Sequence, residues 1–418
     1  MRRLLNFVAP VMLLGLPVPA LADTAELARA ALSATTVAGR DAALANLEVM
    51  QDSEPVAAYA AGSLEFFVAL EKLGSGLYRH GFQSPQSFVV PLMRLPVPDN
   101  PNPQPLDYEG FRKLLTDFHD AMAKSAATLA KVPDGADIGL EVDLYKVGID
   151  LNADGNIAPD ESAAAIMAAL ANAGMPTDGA TAPPLTFRFD RADGYWLQGY
   201  ANFLMAQADF WLAHDFRSAF DQSFQMLFPK AKLPMQDTLV PLDDGGGSGI
   251  FASEWRIADF ISFVHLINWK VVEPERSKAA RTELLEMIRL SREDWKAIRA
   301  ETDNDREWLP GPQQTGANLL TGLDVTEEQV QAWHAALQMA EDLLEGRKLL
   351  PHFRFADKGI NMKKFFDEPQ TFDLVLSLTG PGVVPYLEKG EILSSDEWWA
   401  LQNEFGSTGF MTFAIWVN

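Results

Sequence analysis

The chain has 418 residues, enough for two or three domains or for one large helical body. A composition of 48% hydrophobic, 22% charged and 10% aromatic residues excludes collagen-like, disordered and low-complexity classes. Asp and Glu number 57 against 34 Lys and Arg, a formal net charge of −23, which makes nucleic acid and anionic lipid surfaces poor partners.

Residues 1–22 read as an export signal. Arg2 and Arg3 give a positive start, Leu4 to Leu16 an apolar stretch, and Ala20-Leu21-Ala22 a small-x-small cleavage pattern. The apolar stretch is interrupted by Asn6 and Pro10 and is short for a bilayer span, so no stable membrane insertion is expected after cleavage. There is no cysteine, which excludes disulfides, thiolate metal sites and a Cys nucleophile. A periplasmic or secreted location is expected, where calcium is available.

Most of the remaining chain reads as helix. Ala25 to Met50 and Val56 to Leu77 come first, the second with Leu64, Phe67 and Leu70 at helical spacing. Six prolines between Pro91 and Pro105 predict an extended connection, and helical pattern resumes from Tyr108 to Lys131. Ile138, Leu140, Val142 and Leu144 then alternate with Gly139, Glu141 and Asp143, and Val147, Ile149 and Leu151 resume that period of two, which predicts a strand. Leu185, Phe187 and Phe189 supply a second alternation able to pair with the first. A helix apolar almost all round is predicted from Gly194 to Ala219, a flexible loop at 243–249, and helices over Ile250–Val272, Lys278–Ala300 and Glu327–Leu344. The aromatic end, Gly409 to Val417, is expected to be a final strand.

The strongest chemical signal lies between the first strand and a short helix, Glu161 to Ala173. It reads Asp150-Leu151-Asn152-Ala153-Asp154-Gly155-Asn156-Ile157-Ala158-Pro159-Asp160-Glu161. A hard divalent cation needs six to eight oxygens, and a twelve-residue loop wraps one when alternate positions point inward. Asp150, Asn152 and Asp154 stand at positions 1, 3 and 5, and Gly155 at position 6 permits the sharp turn. Asn156 offers a carbonyl at position 7, and Glu161 at position 12 can bind through both oxygens, which favours calcium over magnesium. Ala158 at position 9 leaves a vertex for water, and Ile157 at position 8 is the apolar residue that ties such a loop to a neighbour. These residues resemble the EF-hand loop at every key position. The incoming segment is a strand rather than a helix, so the site is similar to EF-hand-like loops entered from a strand, including the single calcium loops of dockerin modules. The resemblance covers about 25 residues and implies a calcium ion held by Asp150, Asn152, Asp154, Asn156 and Glu161. Elsewhere the chain resembles exported bacterial proteins.

No second loop of this kind is complete. Asp190-Arg191-Ala192-Asp193-Gly194 has Ala201 where a position-12 acid belongs, so Asp190 and Asp193 read first as helix caps and only second as metal ligands. The stretch Asp243–Glu254 has Gly at positions 3 and 5. No HExxH, GxSxG, P-loop or GxGxxG motif occurs, and the six histidines lack ligand spacing. Asp303, Asp305 and Glu307 beside Trp308 form the best alternative cluster, more often a solvated turn than a glycan-cleaving pair.

The expected fold is a mainly α, multi-helix globular protein with a small two-stranded β element next to a single EF-hand-like loop. Expected divisions are residues 1–22 (signal), 23–90, 107–230 with the loop at 150–161, and 249–418. The expected function is calcium binding, with the site structural and no catalytic residue assigned. The alternative is a helical glycan-acting hydrolase or carbohydrate-binding protein that carries a structural calcium.

Overall fold

The structure, a computed structural model, describes residues 24–84, 95–171, 185–238, 255–302, 304, 306–314, 325–405 and 409–416. The expected export signal, the Gly-rich run 243–249, and Asp303 and Asp305 lie outside the described residues.

The chain begins with α1 (Thr24–Leu32) and α2 (Val37–Met50), where one continuous helix was expected. The break follows from Thr36, whose backbone is extended (φ −138°) and whose side chain accepts the Gly39 N–H as an N-cap. Next come α3 (Pro55–Arg79), with Pro55 pre-set for the first helical turn, and α4 (Tyr108–Leu129), capped by Asp107. Residues 95–105 between them hold no regular element, in keeping with their prolines. Strand β1 (Leu140–Asp143) pairs antiparallel with β2 (Thr186–Phe189) in the register Leu140 to Phe189 and Asp143 to Thr186. Leu140 and Val142 are buried and Glu141 is exposed, so the period-two pattern marks a strand with one face to the core. The strand stops at Asp143, however, and a turn at 144–146 leaves Val147–Leu151, expected to continue it, outside the strand. Helix α5 (Ala163–Ala171) follows the twelve-residue loop after a single 3-10 turn.

Helix α6 (Arg191–Leu212) ends earlier than its apolar sequence predicted, and the chain turns into β3 (His214–Asp215) and α7 (Arg217–Ser223). Helix α8 (Trp255–Leu266) also ends early, because Asn268–Val271 is strand β4 rather than helix. Strand β4 pairs with β3 and buries Trp269 while Asn268 and Lys270 stay exposed. Helices α9 (Pro274–Ala300) and α10 (Glu327–Leu344) match their predicted spans closely. The C-terminal part contains β5 (Gly359–Ile360), α11 (Met362–Asp367), β6 (Phe372–Asp373), α12 (Leu374–Thr379), β7 (Leu387–Glu388), α13 (Ser395–Glu404) and α14 (Phe410–Trp416). Strand β6 joins β4, and β5 pairs with β7. The expected final strand is therefore a helix. Phe410 and Phe413 lie three apart and share a face, Phe413 stacking on Trp295 and Phe410 meeting Trp333 and Trp398. The fold is thus mainly α with small antiparallel sheets.

The four longest helices, α3, α4, α6 and α9, pack in that order. Helix α6 lies against α4 on one side and α9 on the other, which explains a sequence apolar nearly all round. Small residues let α3 and α4 approach: a Cβ on Gly62 would lie 2.6 Å from Leu129. The largest apolar cluster draws on residues from Ala28 to Phe413. A second collects Phe82, Phe111, Phe216, Phe220, Phe224 and Trp269. No helix among the described residues is long and apolar enough to cross a membrane.

Gly74 on α3 seats the candidate loop, since a Cβ there would lie 2.4 Å from Cδ2 of buried Leu151. We expect Gly74→Ala to lower stability by roughly 1–3 kcal/mol through overpacking, read as a lower midpoint in urea unfolding at unchanged slope.

Candidate functional site

The sequence places the five expected calcium ligands on one turn, and burial grades them. Asp150 and Glu161 are each 5% exposed, Asn152 is half-buried, and Asp154 and Asn156 are exposed. The Asp150 carboxylate accepts two backbone N–H groups from across the loop, Asp154 at 3.1 Å on Oδ1 and Gly155 at 2.8 Å on Oδ2. Asn152 Oδ1 accepts the Asp154 N–H at 2.9 Å, and Asp154 Oδ1 accepts the Asn156 N–H at 2.8 Å. Gly155 sits at φ +87°, the left-handed region its position in the motif requires. Ala153 is also left-handed, at φ +59°, a conformation that costs a side-chain-bearing residue about 1 kcal/mol. Glu161 reaches back over the loop, accepting N–H groups from Leu151, Asn152 and Ala158 at 2.8, 3.2 and 2.9 Å. Burial raises its pKa against those hydrogen bonds, and the Asp150 charge raises it further. Asp150, Asp154 and Glu161 do not form one of the tightly convergent acid groups among the described residues. Their oxygens are engaged by loop amides instead.

Two outside segments hold this loop. Residues 35–37, in the break between α1 and α2, form an antiparallel bridge to it. Ile157 N–H donates to Thr35 O at 2.9 Å, and Val37 N–H to Gly155 O at 3.1 Å. The apolar position 8 thus ties the loop to a partner strand-like segment, but that segment is not a second loop of the same kind. The other anchor is Glu71 on α3. Its Oε2 accepts the Asp150 N–H at 2.7 Å, and both of its oxygens bind the Arg40 guanidinium, at 2.5 and 2.7 Å. Arg40 is 2% and Glu71 8% exposed, so this is a buried bidentate ion pair. Neither Thr35 nor the Arg40–Glu71 pair was recognised in the sequence. The only signal was a Thr-Thr-Val run inside a helical pattern.

A second group of acids converges where α6 begins and α9 ends. Asp190, Glu301 and Glu307 each place a carboxylate oxygen within 4.8 Å of the others. They line a small cavity of about 10 Å³ together with Asp193, Asp294, Trp196 and Trp308. The helix caps foreseen at Asp190 and Asp193 are present: Asp190 accepts the Ala192 N–H at 2.7 Å, and Asp193 accepts the Asp190 N–H at 2.9 Å. What the sequence did not reveal is that Glu307 and Trp308, 114 and 112 residues beyond Asp193 and Trp196, fold back onto them. The Arg188 N–H bond to Arg306 O at 3.1 Å fastens that return to β2. Burial, with the charges of Asp190 and Glu307, pushes Glu301 up to about 9, and its carboxyl shares a hydrogen bond with Asp190. Burial first, and the Asp190 charge second, raise Asp193 and Asp294 well above the usual carboxylate range.

A third cluster joins α4, α6 and α9. His119 Nε2 lies 3.3 Å from Glu283 Oε1 and 3.6 Å from Asp209 Oδ1, and Arg276 binds that same Asp209 oxygen at 2.5 Å. Two cations already balance these acids, so the group reads as a structural knot. Its hydrogen bond to Glu283 is the main reason His119 is raised to about 9. His214 is buried, donates its Nδ1–H to Phe210 O at 2.7 Å, and is kept below its usual pKa by burial, as a structural imidazole should be. Of the adjacent tryptophans, Trp399 is exposed while Trp398 packs on the core.

Two outcomes follow from these contacts. Arg40→Ala leaves Glu71 buried without its counter-charge and is expected to cost about 3–5 kcal/mol, with much of it restored when Glu71→Gln is added. For His119, a folded pKa near 9 against 6.5 unfolded means its contribution is complete below pH 6.5 and disappears as pH rises towards 9. At about 1.4 kcal/mol per pH unit, the part of wild-type stability due to His119 should fall by roughly 2–3 kcal/mol across that interval, and His119→Gln should remove that part of the slope.

Against protein-family models, curated proteins and solved structures alike, the chain has no match. Its chemistry therefore rests on the geometry of these residues.

Proposed function

We propose that the protein is an exported calcium-binding protein in which one EF-hand-type loop, Asp150 to Glu161, fixes the N-terminal helix pair to the helical body. The observation that carries this reading is the way the loop is folded. Asp150 gathers the amides of Asp154 and Gly155, Gly155 takes the left-handed turn, and the Ile157 amide pairs with Thr35 across the α1–α2 break. In a loop of this type Asp150, Asn152 and Asp154, with the Asn156 carbonyl and Glu161, would supply an all-oxygen set suited to calcium.

The ion's role is electrostatic. Four carboxylates in one twelve-residue loop, three of them at ligand positions, repel each other within a chain of formal charge −23, and a +2 charge offsets that repulsion. Because the loop touches α2 through Val37 and α3 through Glu71 and Gly74, stabilising it stabilises the joint between those helices. A lone loop has no partner hand with which to open a groove, so the role is structural rather than switching.

The glycan reading is weaker at the one place where acids meet tryptophans. Glycoside hydrolysis needs carboxyl groups roughly 5–9.5 Å apart. Asp190 and Glu301 are in hydrogen-bond contact, and a cavity of about 10 Å³ is far below the roughly 300–1,000 Å³ of ordinary ligand pockets.

Calcium at about 100 times its Kd should add roughly 2.7 kcal/mol to stability and raise the thermal midpoint by several degrees, reversed by chelator. A Kd between micromolar and millimolar is expected by calorimetry. Glu161→Gln should remove both effects, and equal midpoints in calcium and chelator for the wild type would refute the structural role.

A further inference from the structure

We propose that Asp190, Asp294, Glu301 and Glu307 form a second cation site, independent of the loop, that takes a hard divalent ion such as calcium between the start of α6 and the end of α9. Three of these side chains place oxygens within 4.8 Å of one another, close enough to share one ion. The second, separate observation is Asp294. It is 2% exposed, lines the same cavity from the flank of α9, and its Oδ2 has no hydrogen-bond partner among the described residues. A buried carboxylate oxygen without a partner is costly, and a cation is the ligand that satisfies it together with its acidic neighbours.

The donor set defines the ion. All the converging atoms are carboxylate oxygens, with no His or Cys in the group, and such a set selects calcium, magnesium or manganese over zinc or copper. The open space, about 10 Å³, is that of one water-sized group, room for an ion held directly by the side chains and not for an organic ligand. Helix geometry strengthens the demand for positive charge. Glu301 is the C-cap of α9, so it sits at the negative end of that helix, where a cation is favoured and a carboxylate is not. At the α6 N-terminus the Ala192 amide goes to Asp190, and Glu301 has one oxygen bound by the Gln314 side-chain amide at 3.1 Å. The His119 cluster makes a useful contrast, since there Arg276 occupies the place that an ion would take.

Trp196 and Trp308 line the cavity and provide the readout. Terbium substitutes for calcium in oxygen sites and emits when a neighbouring indole is excited. The full chain, titrated with terbium under tryptophan excitation, should show saturable emission that excess calcium displaces. Asp294→Asn and Glu301→Gln should each weaken that emission's half-saturation at least tenfold, whereas Glu161→Gln should leave it unchanged. Two variants are used because Glu301 lies at a helix end and tolerates the amide even if Asp294→Asn fails to fold, which circular dichroism would reveal. No tryptophan-sensitised emission from the wild type, or emission lost in Glu161→Gln but retained in Glu301→Gln, overturns the second site.

Discussion

One carboxylate, that of Glu71, holds three distant segments together. It faces the guanidinium of Arg40 on α2, belongs to α3, and accepts the amide of Asp150 at the start of the loop. Buried ion pairs offset the cost of dehydrating both charges only when the remaining hydrogen-bonding capacity is also used. Here the Asp150 amide supplies that extra bond. The arrangement makes the N-terminal helices, the helical body and the loop mutually dependent: remove one member, and the other two lose a buried partner rather than a surface contact.

The distribution of negative charge is the second theme. The chain carries 57 acids, and it handles buried ones in three different ways. Around Asp209, cations reach in from Arg276 and His119. In the loop, backbone amides turn inward toward Asp150 and Glu161. At the α6–α9 junction, carboxyls face one another, and burial raises the pKa of Glu301 and Asp294. The proposals for the loop and the junction rest on this difference in how charge is compensated.

The parts legible in the sequence are those whose physics is local. Alternation at Leu140, Val142 and Phe187 identified the ribbon and its pairing, and the loop motif fixed which oxygens share one turn. The span of α10 followed from its periodicity, with Thr326 and Gln329 forming a capping box at its start. Elements failed where tertiary contacts outweighed local preference. Ala25–Met50 splits because Thr36 can cap a new helix and its neighbours can pair with the loop. Asn268–Val271 becomes a strand because Trp269 covers His214 and Phe216. Phe410–Trp416 coils because Trp295 and Trp333 present a face that residues three apart can fill. The acid cluster was half visible: Asp190, Asp193 and Glu307 had each been noticed, but nothing in the spacing brings them together. Glu301 and Asp294 sat unmarked on an ordinary amphipathic helix.

The bridge between Val37 and Gly155 joins residues 118 positions apart. Closing so long a stretch carries an entropic cost that is recovered only after the intervening α3 and α4 have collapsed onto each other. The pairing of the loop with residues 35–37 is therefore a closure of high sequence separation, spanning α3 and α4. Its natural part is that of a latch, one that costs more chain entropy to close than any contact within a single helix.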